Sequence, residues 1–219
     1  MTPWLQIERA SASPTKGHMS SCKTRGFTLI EAMIVVCILL IAGAITFASL
    51  GPAFQQARVS TGYNTTLMML RQARQISVDN RKTYIVNFVP PQTIQIQQVD
   101  AGVVGQVIRT AILPQDVQFS NETGIPTNNT QTPDNMGTGS KAIEFDIGVN
   151  GGLNTQIWFF PDGSARDINN NINNGIVYVA RPGDLYSSRA ITLFGAAGRA
   201  RGWRLYPPTV AGIPIWKQQ

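Results

Sequence analysis

The chain has 219 residues and a formal net charge of +6, from 18 basic and 12 acidic residues, with two cysteines and one histidine. That length allows a domain with its own core, and so mild a positive charge is no general argument for nucleic acid. His18, Cys22 and Cys37 all lie near the N-terminus, so the remainder has no residues for a Ser-His-Asp or Cys-His nucleophile, the usual zinc site or a disulfide.

From Phe27 to Leu50 the chain is mostly apolar with Glu31 its only charged residue, and the stretch is preceded by Lys23 and Arg25. About 20 such residues at about 1.5 Å each cross a hydrocarbon core of about 30 Å, so residues 27–51 are expected to form a transmembrane helix. The preceding cations place the N-terminus in the cytoplasm and the long C-terminal part outside. A secretory signal peptide has a shorter apolar stretch, of about 7–15 residues, and no glutamate. A carboxylate in lipid costs on the order of 3 kcal/mol and ordinarily has a partner. No base follows Glu31 until Arg58. Cutting the chain between Gly26 and Phe27 would create one, an α-ammonium group four residues before Glu31.

Gly51-Pro52 is expected to kink or loosen the helix. A helical pattern resumes over 52–82, where Leu67, Leu70, Ala73 and Ser77, flanked by Met69 and Ile76, form a stripe at spacings of three and four. Arg71, Arg74 and Arg81 fall largely away from it. From Thr83 the period changes to two. "TYIVNFV", "TIQIQQV", "AIEFDIG", "QIWFF", "GIVYVA" and "AITLFG" read as strands separated by Gly, Pro and Asn clusters. No helices intervene, so the sheets of residues 83–219 are expected to be antiparallel. Asn121 to Ser140 and Asp167 to Gly175 read as polar loops, and Pro161-Asp162-Gly163 as a turn. Glu144 and Asp146 share a strand face. Calcium needs six or more oxygens, so this pair is expected to be a solvated face and not a metal site.

"RGFTLIEAMIVV" resembles the prepilin signal of type IV pilins and type II secretion pseudopilins. That resemblance implies cleavage by a prepilin peptidase between Gly26 and Phe27 and N-methylation of Phe27. It also implies a filament-assembly role for Glu31, through pairing with the new amine. Residues 1–26 would be the leader, taking a net +3 with them and leaving about +3. Such leaders are short, and a start at Met19 would give "MSSCKTRG".

"LRQARQISVDN", "WFFPDGSA" and "ITLFGAAGRARGWRL" resemble the GspH/FimT family of minor pilins. Together with the prepilin signal, this implies an α+β, type IV pilin-like fold. A long N-terminal α-helix, transmembrane and then amphipathic, would pack on a β-sandwich of antiparallel sheets. The implied function is non-enzymatic and needs no cofactor. The protein would be a minor pseudopilin initiating or tipping a periplasmic pseudopilus for type II secretion, or a type IV pilus minor pilin that binds DNA for uptake. Implied partners are the prepilin peptidase, other major and minor pilins or pseudopilins, and inner-membrane lipid. The chain would be single-pass in the inner membrane, with its C-terminal domain periplasmic.

DNA is the candidate ligand of "GRARGWR". On a regular strand Arg199, Arg201 and Trp203 point to one side, where two guanidiniums and an indole could hold phosphates and stack on a base. The same glycine-rich stretch lacks Lys-Ser/Thr and is not a phosphate loop. The alternative is that the arginines solvate an edge strand while Trp203 packs into the core. The resemblance stops before "YPPTVAGIPIWKQQ", whose place it does not imply.

Overall fold

A computed structural model describes residues 26–100, 102–127, 131–145, 155–208 and 212–219, with the side chains of 45–50 left out. Residues 1–25 of the expected leader, the expected Met19 start among them, and Asp146 therefore lie outside the described residues. The chain divides into two units, Met1–Ala48 and Ser49–Gln219.

In the first unit, Thr28 starts helix α1, Leu29–Asn80. Its carbonyl accepts from the Ala32 N–H at 3.1 Å, and its hydroxyl accepts from the Glu31 N–H at 3.3 Å. Thr-x-x-Glu is thus a helix N-cap with its acid in the first turn, where the helix dipole favours negative charge. Beyond it Leu29, Ile30, Met33, Ile34, Val36 and Leu39 are all exposed. Among the described residues no helix is long and apolar enough to cross a membrane. The described side chains stop at Ala44 and resume at Gly51, inside the apolar run on which that expectation rests. The helix assignment continues through Pro52, so Gly51-Pro52 does not end it.

In the second unit the stripe on α1 is buried. Val59, Tyr63, Leu67, Met69, Leu70 and Ala73 join one core, and Ser77 is fully buried, donating to the Arg74 and Phe160 carbonyls. Among the described residues ten strands follow: β1 Thr83–Val89, β2 Thr93–Asp100, β3 Val103–Ile112, β4 Ile143–Glu144, β5 Gln156–Phe159, β6 Ala165–Arg166, β7 Gly175–Val179, β8 Arg189–Phe194, β9 Arg199–Tyr206 and β10 Ile215–Gln218. They form two five-stranded sheets, in the orders β3-β2-β1-β5-β6 and β10-β9-β8-β7-β4. Every pairing between them is antiparallel. The helix-then-antiparallel-sheet, α+β architecture expected from the sequence is the one observed.

Alternation decides which side chains reach the α1 core. Tyr84, Val86 and Phe88 of β1, Ile157 and Phe159 of β5, Val177 and Val179 of β7, and Ile191 and Leu193 of β8 share it with the helix. The other face of the second sheet has its own cluster, with Ile176, Tyr178, Ala190, Leu205 and Trp216. Ile125 and Met136 of the 121–140 segment close over that cluster.

Three expectations are corrected here. The 121–140 segment is not simply a polar loop, because its apolar residues are buried in a sheet face. Glu144 is not solvated: it is 2 % exposed and accepts from Thr138 N–H and Oγ1, Ser140 Oγ and Lys141 N–H. This dense shell of donors is what makes a buried carboxylate tolerable. β9 is not an edge strand, because the tail returns as β10 and pairs Trp216 with Leu205 and Gln218 with Trp203.

Candidate functional site

The glycines of "GRARG" have structural duties. A short 3₁₀ turn ends at Gly198, which has φ +55° and lies where an added Cβ would be 2.1 Å from the Gly163 carbonyl oxygen. A Cβ on Gly202 would sit 1.5 Å from the Tyr63 hydroxyl. Only glycine lets α1 approach β9 this closely. Gly163 belongs to the Pro161–Gly163 turn, which is tied to α1 by Arg74 Nε donating to its carbonyl at 3.2 Å. Within that turn, hydrogen bonds from the Ser164 hydroxyl and N–H, then the Arg166 charge, hold the Asp162 carboxyl below its usual range.

Arg199, Arg201 and Trp203 lie on one side of β9, alternating with the buried Ala200 and Gly202. Their surroundings differ. Arg199 is exposed and shares a cleft of about 500 Å³ with Arg71 of α1, Arg201 and Gln218. Arg201 donates from Nη1 to Asp134 Oδ1 at 3.1 Å, and its guanidinium carbon lies 4.8 Å from the centre of the Phe194 ring. Asp134 is a residue of the 121–140 segment held in the left-handed region at φ +51°. Its other oxygen accepts from the Thr192 hydroxyl at 2.5 Å, and that hydroxyl accepts from Trp203 Nε1 at 3.1 Å. Trp203 itself packs against the outer cluster.

Arg201, Asp134, Thr192 and Trp203 therefore form one connected network, and two of the three residues expected to face a ligand are engaged within the protein. No sequence pattern points to Asp134, which is 67 positions from Arg201. A phosphate contact by Arg201 requires displacing that carboxylate or sharing with it; Arg199 carries no such restriction.

At the N-terminus, Gly26 has nothing within 4 Å of where a Cβ would stand. Phe27 is 80 % exposed and Glu31 is exposed. The Gly26-Phe27 bond thus lies on an open segment directly before the helix cap, accessible to another protein.

Residues 22–47 match the family described as the prokaryotic N-terminal methylation motif. No curated protein matches the chain. Among solved structures, the type IV minor pilin FimU of Pseudomonas aeruginosa strain PAO1 is similar at 12 % identity and a TM-score of 0.42, covering 70 % of this chain and 95 % of that one. The minor pseudopilin EpsH from the type 2 secretion system of Vibrio cholerae is similar at 9 % identity and a TM-score of 0.33, covering 74 % and 97 %.

Proposed function

We propose that this type IV pilin-like chain, with its methylation motif at residues 22–47, is a non-catalytic minor subunit of a membrane-anchored filament. The motif carries the reading. Gly26 and Phe27 are the processing site, and N-methylated Phe27 supplies the amine that pairs with Glu31 of its own or a neighbouring chain. Residues 27–51 anchor the chain in the inner membrane, with the C-terminal domain in the periplasm. The exposed aliphatic side chains from Leu29 to Ile41 support this anchor, since so continuous an apolar surface is unfavourable in water. Until cleavage, Glu31 serves the uncut helix as its first-turn acid.

Between the two filament systems, we favour a pseudopilin of type II secretion. The observation behind this choice is the Asp134 carboxylate on Arg201, which neutralises half of the arginine pair that DNA would need. The exposed Arg199 beside Arg71 is what supports the other reading, a type IV pilus minor pilin binding DNA.

Co-expression with a prepilin peptidase tests the common part. Intact mass should give a chain starting at methylated Phe27, and a start within Ala42-Gly43-Ala44 would overturn it. Glu31→Ala should then leave insertion intact or improved while lowering crosslinking to a major pilin. Crosslinking at the level of the unmutated chain would remove Glu31 from the assembly role.

A further inference from the structure

A second group of arginines makes no ion pair among the described residues. Arg181, Arg189 and Arg204 line a cleft of about 220 Å³, together with Pro52, Gln55 and Gln56 at the start of the second unit's helix. Arg189 is the largest fully buried side chain of the described residues, 2 % exposed, and its Nη1 donates only to the Ser187 and Ser188 carbonyls, at 3.0 and 3.3 Å. Arg204 Nε is buried with no acceptor, and its Nη2 reaches the Gln56 amide oxygen once that amide is turned. Arg181 Nη1 donates to Gln55 Oε1. Asp184 also lines the cleft, yet among the described residues no carboxylate lies within ion-pair distance of any of the three guanidiniums.

Burying an arginine costs several kcal/mol or more unless an anion offsets it, and a guanidinium does not escape by losing its proton. Burial, and then the neighbouring Arg204 charge, draw Arg189 down to about 10, which still leaves it cationic at neutral pH. Against three cations the cleft supplies one acid, and neutral amide and carbonyl oxygens supply the rest. Its volume exceeds the roughly 30 Å³ that a water occupies in the liquid several times over, so a tetrahedral oxyanion fits.

We propose that this cleft binds a phosphate group, held by the forked donors of Arg204 and Arg181 with Arg189 as the buried charge behind them. Guanidinium forks match phosphate oxygens two at a time. Two sources share that chemistry. One is free phosphate. The other is a lipid headgroup, suggested by Pro52, two residues beyond Leu50 where the apolar run ends; this source rests on the membrane anchor proposed above.

The test uses the full chain in maltoside micelles, with inorganic phosphate as probe and chloride at matched ionic strength as control. Phosphate should raise the melting temperature of the unmutated chain, as any ligand of the native state does. Arg204→Gln, at a partly exposed position, should lose most of the rise, and Arg189→Leu should lose it entirely. Equal rises in chloride and phosphate, or a full rise in Arg204→Gln, would overturn the site. Native mass spectrometry from micelles doped with phosphatidylglycerol separates the sources. An adduct kept by the unmutated chain and lost in Arg204→Gln assigns the headgroup. A phosphate response without that adduct assigns free phosphate and removes the lipid source. Because neither readout uses Gly26, Phe27 or Glu31, failure here leaves the processing result standing, and the reverse also holds.

Discussion

The two sides of β9 hold arginines in opposite electrostatic circumstances. On the outer side Arg201 has Asp134, supplied by a segment that folds back over the sheet and aligned further by Thr192. On the side toward α1, Arg204 and its β8 neighbour Arg189 have carbonyls and an amide as hydrogen-bond partners, and Asp184 lines their cleft without an ion pair to either. Side-chain pairing within the protein satisfies the first, while the second is left with a charge to be met from outside. A buried or half-buried arginine thus does not by itself indicate a ligand site. What distinguishes the two is whether the fold brings an acid to it.

The largest expected effect disrupts both sides at once. Gly202→Ala drives a Cβ into the Tyr63 hydroxyl and should cost about 3 kcal/mol or more of stability, measured as a fall in denaturation midpoint. A midpoint near that of the unmutated chain would mean that α1 does not approach β9 as described. Next comes Asp134→Ala, which strands a partly buried Arg201 and leaves the Thr192 hydroxyl without its acceptor. It should cost about 1–3 kcal/mol, and adding Arg201→Met should recover much of the loss, because a buried pair replaced by apolar groups is often nearly neutral. Arg189→Leu is the contrasting case. In phosphate-free buffer it should lie within about 1 kcal/mol of the unmutated chain, or above it, because an unmatched charge is removed. A loss as large as that of Asp134→Ala would equate the two arginines and collapse the distinction.

Arg199→Gln is expected to do least. Its side chain is exposed and unpaired in the described structure, so stability should change by less than about 0.5 kcal/mol. It also sharpens the DNA question. If Arg199 alone meets a phosphate, the slope of log K against log salt for duplex DNA should be near −1, at about 0.9 per contact. If Arg201 leaves Asp134 to join it, the slope should approach −2. A slope near zero would leave β9 without a role in DNA binding.

Elements with one buried and one solvated face were legible in the sequence. The stripe from Leu67 to Ser77 and the alternation in β1, β2 and β8 carry their burial in their own spacing. The helix cap at Thr28 follows a Thr-x-x-Glu pattern that local spacing also records. β3 was missed because it is an edge strand exposed on both faces along nearly its whole length, which gives alternation no buried side to mark. β10 was missed because its four residues, with one buried side chain, Trp216, mean little without β9 beside them.

What the sequence by itself determined is the N-terminal methylation motif, the apolar run and the order of helix and antiparallel strands. Each depends on residues close together in the chain, and local spacing records them directly. Which arginines are paired was decided only by tertiary structure. Asp134 reaches Arg201 because Ile125 and Met136 anchor their segment on the outer sheet face, and Glu144 takes three hydrogen bonds from that segment's end and a fourth from Lys141 instead of facing solvent. Arg181 and Arg204 meet Gln55 and Gln56, with Arg189 lining the same cleft, because α1 packs across the second sheet. Charge matching over such separations depends on where chain segments come to rest, and linear spacing does not encode that.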